Sequence, residues 1–427
     1  MNADYVIIGS SAAGVSCISA IRRHDPKGTI ITVTKDRYPP YTPLFLADYI
    51  MKDIEEKDLF FKGMDFFERM NVTVLKGKIA EQIDPQTKEL ILENGEKIKY
   101  GKILIATGGY PFIPPIKGVD KKEVYTLQTL DDSKKIIEKS RDASKAVVVG
   151  AGPIGLEAAY ALRKLGLDVV VVELLDRVLP LMLEKEAADM IMKEFTDMGI
   201  RIILGTGIEE ITGDKHVNGV VAGKEEISTD LVIMATGVRP NVEMARNSGI
   251  EVNKGIIVNR MMETSVKDIY AAGDVAEAED AFGDVCLTPT WVNAVRQGEV
   301  AGLNMAGLTI EYEGSIRVNI MKGIGTPVVS LGHTSATLRN TEYEEEEFNG
   351  RGIYRKAFFD GKCLLGFQSV GSHKDIRLAG MLQILVRKRI PVEDRRALVR
   401  KGHLVVKNIP ELYHKARADT LKSTVLN

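Results

Sequence analysis

Short apolar runs that end in glycine and give way to helical spacing dominate the first half of the chain. Residues 5–8 are apolar; then come Gly9, Ser10, Ser11, Ala12, Ala13 and Gly14, a helical stretch to Arg23, and a β-rich run over residues 29–34. The order returns at residues 146–149, followed by Gly150, Ala151, Gly152, Pro153, Ile154 and Gly155, a helical stretch to Lys164, and residues 169–172 closed by Glu173. Each segment predicts strand, tight turn, helix and strand, the unit that opens a dinucleotide-binding domain. Its repetition predicts two such domains.

Beyond about residue 319 the pattern changes. Residues 342–348, 351–359 and 363–370 are strand-like, and Asn349-Gly350 and Asp360-Gly361 between them are favoured hairpin turns. An amphipathic helix over residues 374–389 should stop before Pro391. A third, α+β domain is expected from this meander and its helix.

The 427 residues, 44% hydrophobic and 27% charged, fit a globular chain of several domains and exclude a disordered one. Lys and Arg number 57 against 59 Asp and Glu, a net charge of −2, so binding of nucleic acid or membrane through bulk charge is disfavoured. Cys17, Cys286 and Cys363 are too far apart in sequence for a CxxC pair or a zinc knuckle, and no metal site is expected. The first residues hold no basic leader, and no run of about 18 apolar residues occurs. A reducing, cytoplasmic setting without membrane insertion is expected.

The second glycine motif, Gly150-x-Gly152-x-x-Gly155, is complete. Its glycines allow a tight turn, close approach of a pyrophosphate and close helix packing, while the helix start offers unpaired N–H groups. Glu173 stands where an acid accepts hydrogen bonds from both ribose hydroxyls, and its charge should oppose the 2′-phosphate of NADPH, so NADH is the expected nucleotide. Arg177, four residues on, could contact a phosphate or form a surface salt bridge. The first motif has Ser11 at its middle position. Lys35 stands where the acid commonly falls and Asp36 follows it; Asp36 is either a ribose ligand or a solvated loop carboxylate.

With Ala106-Thr107-Gly108, with Ala235-Thr236-Gly237 followed by Arg239 and Pro240, and with the run from Thr264 to Asp274, the chain resembles the pyridine nucleotide-disulfide oxidoreductase superfamily of flavoproteins along nearly its whole length. The resemblance implies an α/β fold with two nested Rossmann-like nucleotide-binding domains and a C-terminal α+β interface domain. It implies an FAD-binding domain at 1–112 and 245–318, an NAD-binding domain at 113–244 and an interface domain at 319–427. Toward FAD it assigns Gly9, Ser11, Ala12, Ala13, Gly14, Lys35, Asp36, Ala80, Thr107, Gly108, Gly273, Asp274, Asn293 and Gln297, with Asp274 on the ribityl chain. The segment 289–307, with Trp291 and Asn304, resembles the family helix whose N-terminus faces the flavin. Toward NAD it assigns Gly150, Gly152, Pro153, Ile154, Gly155, Glu173, Arg177 and Gly237.

Departures from the family carry as much information. Disulfide- and peroxide-reducing members hold a redox cysteine beside the flavin, but residues 38–46 here contain none. Pro153 replaces a tyrosine that shields the flavin in many relatives. Glu157 matches a glutamate near the nicotinamide, catalytic there, although its usual lysine partner is not evident; a helix-stabilising acid is the other reading. The resemblance therefore implies an FAD-dependent NAD(P)H oxidoreductase that passes electrons directly to an external carrier, or the reverse. The acceptor implied is an acidic iron-sulfur protein or an iron-sulfur subunit of a larger complex, and a homodimer is possible within the family. NADH oxidase, CoA-disulfide or polysulfide reductase, and a flavin-bound redox-sensing scaffold are the alternatives. Residues 371–427 hold 13 basic and 5 acidic side chains, a net +8, which suggests that Arg387, Lys388, Arg389, Arg395 and Arg396 steer such a carrier.

Overall fold

A computed structural model describes residues 1–322, 324–338 and 342–404. Strand β1 (Asn2–Ile8) leads through helix α1 (Ala12–His24) to β2 (Ile30–Thr34). Short helices α2 (Leu46–Met51) and α3 (Phe66–Arg69) precede β3 (Val72–Lys76) and the antiparallel β4 (Ala80–Asp84), β5 (Glu89–Leu92) and β6 (Lys97–Ile105). The sheet order is β3-β2-β1-β6-β5-β4, with β1 parallel to both β2 and β6. Val6, Ile7, Ile103 and Leu104 are fully buried, as expected where a parallel strand is covered on both faces.

A second parallel sheet follows β7 (Gly109–Pro111). Its strands are β8 (Val124–Tyr125), β9 (Lys145–Val149), β10 (Asp168–Val172) and β11 (Arg201–Ile203), interleaved with α4 (Leu130–Lys139), α5 (Pro153–Lys164) and α6 (Lys185–Asp197). An antiparallel meander, β12 (Ile208–Thr212), β13 (Gly219–Ala222) and β14 (Glu225–Ser228), leads into β15 (Leu231–Met234), which completes the order β11-β10-β9-β15-β8. Strand β16 (Val238–Pro240) pairs antiparallel with β7, so the chain leaves and re-enters the first sheet's region side by side. After α7 (Glu243–Asn247) and β17 (Ile256–Ile257), β18 (Ile269–Ala271) joins β6; β19 (Ala276–Glu279), β20 (Val285–Cys286) and α8 (Trp291–Met305) follow. Helix α8 crosses α1 closely: an added Cβ at Gly298 would lie 2.1 Å from the Ala13 carbonyl, and one at Gly302 2.5 Å from that of Cys17. Cys17 is fully buried there, its Sγ 3.7 Å from Met305 Sδ, a packing residue as a small cysteine commonly is.

Apart from the first three residues of α6, the elements above lie in one compact unit, Met1–Leu181 with Ala188–Val318. A second unit takes Met182–Ala187, Asn319–Lys322 and the described residues from Thr326 on. It holds the sheet β21 (Val318–Met321), β22 (Val328–Gly332), β25 (Cys363–Val370), β24 (Ile353–Asp360), β23 (Glu344–Gly350), followed by α9 (His373–Arg387) and α10 (Arg395–Lys401). The strands and the helix match the sequence expectation to within about two residues, but both hairpin turns move. The first is Arg351-Gly352, each at positive φ (56° and 73°), with Gly350 still paired to Ile353; this register sets Lys356 against both Glu345 and Glu347. The second is Gly361-Lys362, and an irregularity at Phe358/Phe359 absorbs the one-residue change.

The basic tail is also less open than its composition suggests. Arg389 pairs with Asp360, Arg395 with Glu344 at 2.8 Å, and Arg396 lies 3.9 Å from Glu346. The acids that neutralise them stand outside residues 371–427, so a charge count over that window misses them. Lys407, Lys415, Arg417 and Lys422 fall outside the described residues.

Candidate nucleotide and flavin site

Both glycine turns fold as their spacing requires. An added Cβ at Gly14 would sit 2.0 Å from the Gly9 carbonyl oxygen, and one at Gly155 2.0 Å from that of Gly150, so each helix starts too close to its own turn for any larger residue. The middle positions differ: Gly152 has nothing within 4 Å of where its Cβ would be, whereas Ser11 is exposed and leaves its hydroxyl out of the helix cap. Each turn therefore offers free N–H groups at a helix start, the chemistry that holds a pyrophosphate. Ala12 and Ala13 are buried in the first turn of α1; Pro153 begins α5 and Ile154 is 39% exposed.

Glu173 is only 8% exposed. Its carboxylate accepts from Ala151 N at 2.6 Å and from Leu175 N at 2.9 Å, tying the strand end to the second glycine turn. Arg177 folds back on Asp176 and the Pro180 carbonyl. On the first sheet, Lys35 is exposed, and Asp36 accepts from Tyr38 N beside the Tyr41 hydroxyl, whose pKa burial and the Asp36 charge push up. Ala80 opens β4.

Contacts between distant segments assemble the rest. Asn241 clasps the Thr107-Gly108 turn: its side chain donates to the Thr107 carbonyl at 2.8 Å, its N–H donates to Gly108 O at 2.9 Å, and Thr107 Oγ1 donates to Asn241 O. Gly237, at φ 107°, accepts from Phe112 N in the same paired strands. Gln297 Oε1 accepts from Gly273 N at 2.8 Å and so fixes the turn that carries Asp274. Burial raises the Asp274 pKa, and no cation pairs with it among the described residues; it is an acceptor suited to hydroxyl donors. Asn293 donates to the carbonyls of Thr288 and Ile316, and Asn304 ties α8 to Met261 and Ile310, so both brace the helix. Nothing in the local sequence marked Asn241: the matching position after the first Thr-Gly motif is Phe112, so the repeat does not single it out.

The segment where the redox cysteine stands in disulfide-reducing flavoproteins is a one-turn helix, Pro43–Phe45, followed by α2. It presents Leu44 and Phe45, 53% and 49% exposed, and carries no sulfur. α2 packs on α5 and on α4, where Lys134 pairs with Glu56 at 2.9 Å and lies over the Tyr38 ring. Glu157, on α5 facing α2, is pushed up to about 7 by burial and then by the charge of Asp48. Cys286 Sγ contacts Asp280 at 3.6 Å, and Cys363 Sγ contacts the Arg389 carbonyl at 3.2 Å.

Two sheets with parallel strands at their centres, each with a glycine turn at a helix start and joined by paired strands next to two Thr-Gly turns, give the architecture of a flavoprotein reductase. The family described as pyridine nucleotide-disulphide oxidoreductase matches residues 3–298, and this chain belongs to it. The chain is 33% identical over 417 residues to an NADH oxidase of Methanocaldococcus jannaschii, covering 91% of this chain and 92% of that protein. It is also 33% identical to an NADH-rubredoxin oxidoreductase of Clostridium acetobutylicum, over 77% of this chain and 81% of the other. Among solved structures, a NAD-dependent persulfide reductase from A. fulgidus superposes with a TM-score of 0.86 at 29% identity, covering 91% of this chain and 77% of that one. The protein is an NAD(P)H-dependent oxidoreductase that binds FAD and NADH. No helix among the described residues is long and apolar enough to cross a membrane.

Proposed function

We propose that this enzyme oxidises NADH and delivers the electrons to an external iron-sulfur carrier or iron-sulfur subunit. The observation that carries the reading is the segment over residues 38–46, which holds no cysteine: Leu44 and Phe45 stand exposed in it, and the three cysteines are engaged elsewhere. Bound FAD supplies the link between a two-electron hydride donor and one-electron acceptors. The first glycine turn, Asp36, Thr107-Gly108 and Asp274 hold it. The second turn and Glu173 hold NADH and set it against NADPH, because a carboxylate close to a 2′-phosphate is repelled. Pro153 opens the helix on which Glu157 lies beside the nicotinamide. The rubredoxin-linked relative supports the acceptor class, and the archaeal NADH oxidase supports a second reading in which dioxygen is the acceptor.

Anaerobic titration with NADH, followed by flavin absorbance, tests the first half; one equivalent of NADH should bleach the flavin. Adding rubredoxin, ferredoxin, dioxygen or a disulfide to the reduced enzyme in separate runs tests the second. Fastest reoxidation by an iron-sulfur protein supports the proposal, and fastest reoxidation by a disulfide overturns it.

A further inference from the structure

The two Thr-Gly turns close on each other across the ribbon of β7 and β16, and the same bonds recur in both directions. Thr107 Oγ1 donates to the carbonyl of Asn241 at 3.1 Å, and Thr236 Oγ1 donates to that of Phe112. Asn241 N donates to Gly108 O at 2.9 Å, and Phe112 N donates to Gly237 O at 2.8 Å. Between these clasps Gly109 pairs with Pro240 and Pro111 with Val238. The strands touch so closely that an added Cβ at Gly109 would lie 2.6 Å from Val238 Cγ1 and 2.7 Å from the Arg239 carbonyl oxygen. The repetition stops at the side chains. The Asn241 carboxamide adds a third bond, to the Thr107 carbonyl at 2.8 Å, whereas the Phe112 ring lies under the Arg239 guanidinium at 4.8 Å.

Each Thr-Gly turn is also built onto its own glycine motif. An added Cβ at Gly9 would sit 2.2 Å from the Ala106 carbonyl oxygen, and one at Gly150 2.4 Å from that of Ala235. Ala106 N donates to Ile8 O and Ala235 N to Val149 O, each at 2.8 Å. Gly108 and Gly237, at φ of 60° and 107°, are where the ribbon would bend, and the opposite strand holds the carbonyl of each. A ribbon locked at both bending points carries the position of one glycine motif to the other. We propose that this crossed clasp sets the spacing of the two nucleotide sites, with Asn241 and Thr236 as positioning residues for hydride transfer from NADH to FAD. The inference rests on the assignment of FAD to the first turn and NADH to the second proposed above. Transfer between two bound rings depends steeply on their alignment, so a residue that touches neither can still govern the rate.

Flavin reduction in the FAD-loaded enzyme and amide exchange in the protein without ligands test this. Thr236→Val removes one hydroxyl with little change of shape, and Asn241→Asp removes the donor to the Thr107 carbonyl. In each variant the limiting rate of flavin reduction at saturating NADH should fall about tenfold or more, while the dissociation constants of FAD and NADH stay within about twofold of the parent values. Thr236→Ser, which keeps the hydroxyl, should recover the parent rate. Exchange should quicken in the clasp that was not altered: at the Asn241 amide in Thr236→Val, and at the Phe112 amide in Asn241→Asp. Parent rates in both variants, or faster exchange confined to the altered clasp, overturn the proposal. A fall in rate matched by a fall in NADH affinity also overturns it, since the clasp would then shape one site and not the spacing of two. If NADH leaves the parent flavin oxidised, the proposed reaction fails, and the exchange result still decides the clasp.

Discussion

The two glycine turns look alike in sequence but are built into the fold on different terms. In the second, Gly152 leaves open space at its middle position, and Glu173 is bound into the turn through the Ala151 amide. In the first, Ser11 brings a hydroxyl to that position, and the acid, Asp36, is bound to its own loop through Tyr38 instead. The second turn and its acid form one hydrogen-bonded unit. The first relies more on distant segments, Asn241 on Thr107-Gly108 and Gln297 on Gly273. A nucleotide that comes and goes suits a locally complete turn, whereas a cofactor held throughout turnover can be gripped by many parts of the fold.

The strongest way to break this comparison is to fill the glycines the turns share. Gly14→Val and Gly155→Val each force a side chain onto a backbone oxygen 2.0 Å away, at a cost on the order of 4 kcal/mol or more. Gly14→Val should yield protein without FAD, and Gly155→Val should keep FAD but lose NADH binding. Flavin content and NADH fluorescence titration decide, and loss of both ligands in both variants would refute separate turns.

Removing Asp274 comes next. Asp274→Ala removes charge-assisted hydrogen bonds of about 1.5 to 3 kcal/mol, so FAD affinity should fall at least tenfold while NADH affinity holds. Full flavin retention on dilution would show that the Gly273-Asp274 turn does not grip the cofactor.

Glu157 gives a pH-dependent effect of similar or smaller size. Its folded pKa, about 7, lies above the ordinary 4.5, so the folded state binds the proton more tightly and stability falls as pH rises between those values. Glu157→Gln removes that penalty. Chemical unfolding should show the variant more stable than the parent by about 1 to 3 kcal/mol at pH 8 and nearly equal to it at pH 4. Equal stability at both pH values would mean that Glu157 titrates normally.

The smallest effect comes from exchanging the middle residues. Ser11→Gly at a helix start costs only a few tenths of a kcal/mol in stability, so FAD affinity should change less than about fivefold. Gly152→Ser, whose added Cβ has no protein atom within 4 Å, should fold normally and alter NADH affinity more than Ser11→Gly alters FAD affinity. Isothermal titration of both variants would sharpen or erase the distinction between the turns.

The sequence by itself determined both glycine turns and the strands and helices around them. Those features are local: glycine spacing, apolar runs and helix starts act over a few residues, where the chain's own geometry leaves few alternatives. Only the tertiary structure decided that Asn241 holds Thr107, 134 residues away, and that Gln297 fixes Gly273. It also decided that Arg389 and Arg395 meet the strand acids Asp360 and Glu344, and that Arg351-Gly352 makes the turn. Each of these depends on burial and on pairing between segments far apart in sequence. Such energies arise when the elements pack, so no local pattern in the chain records them.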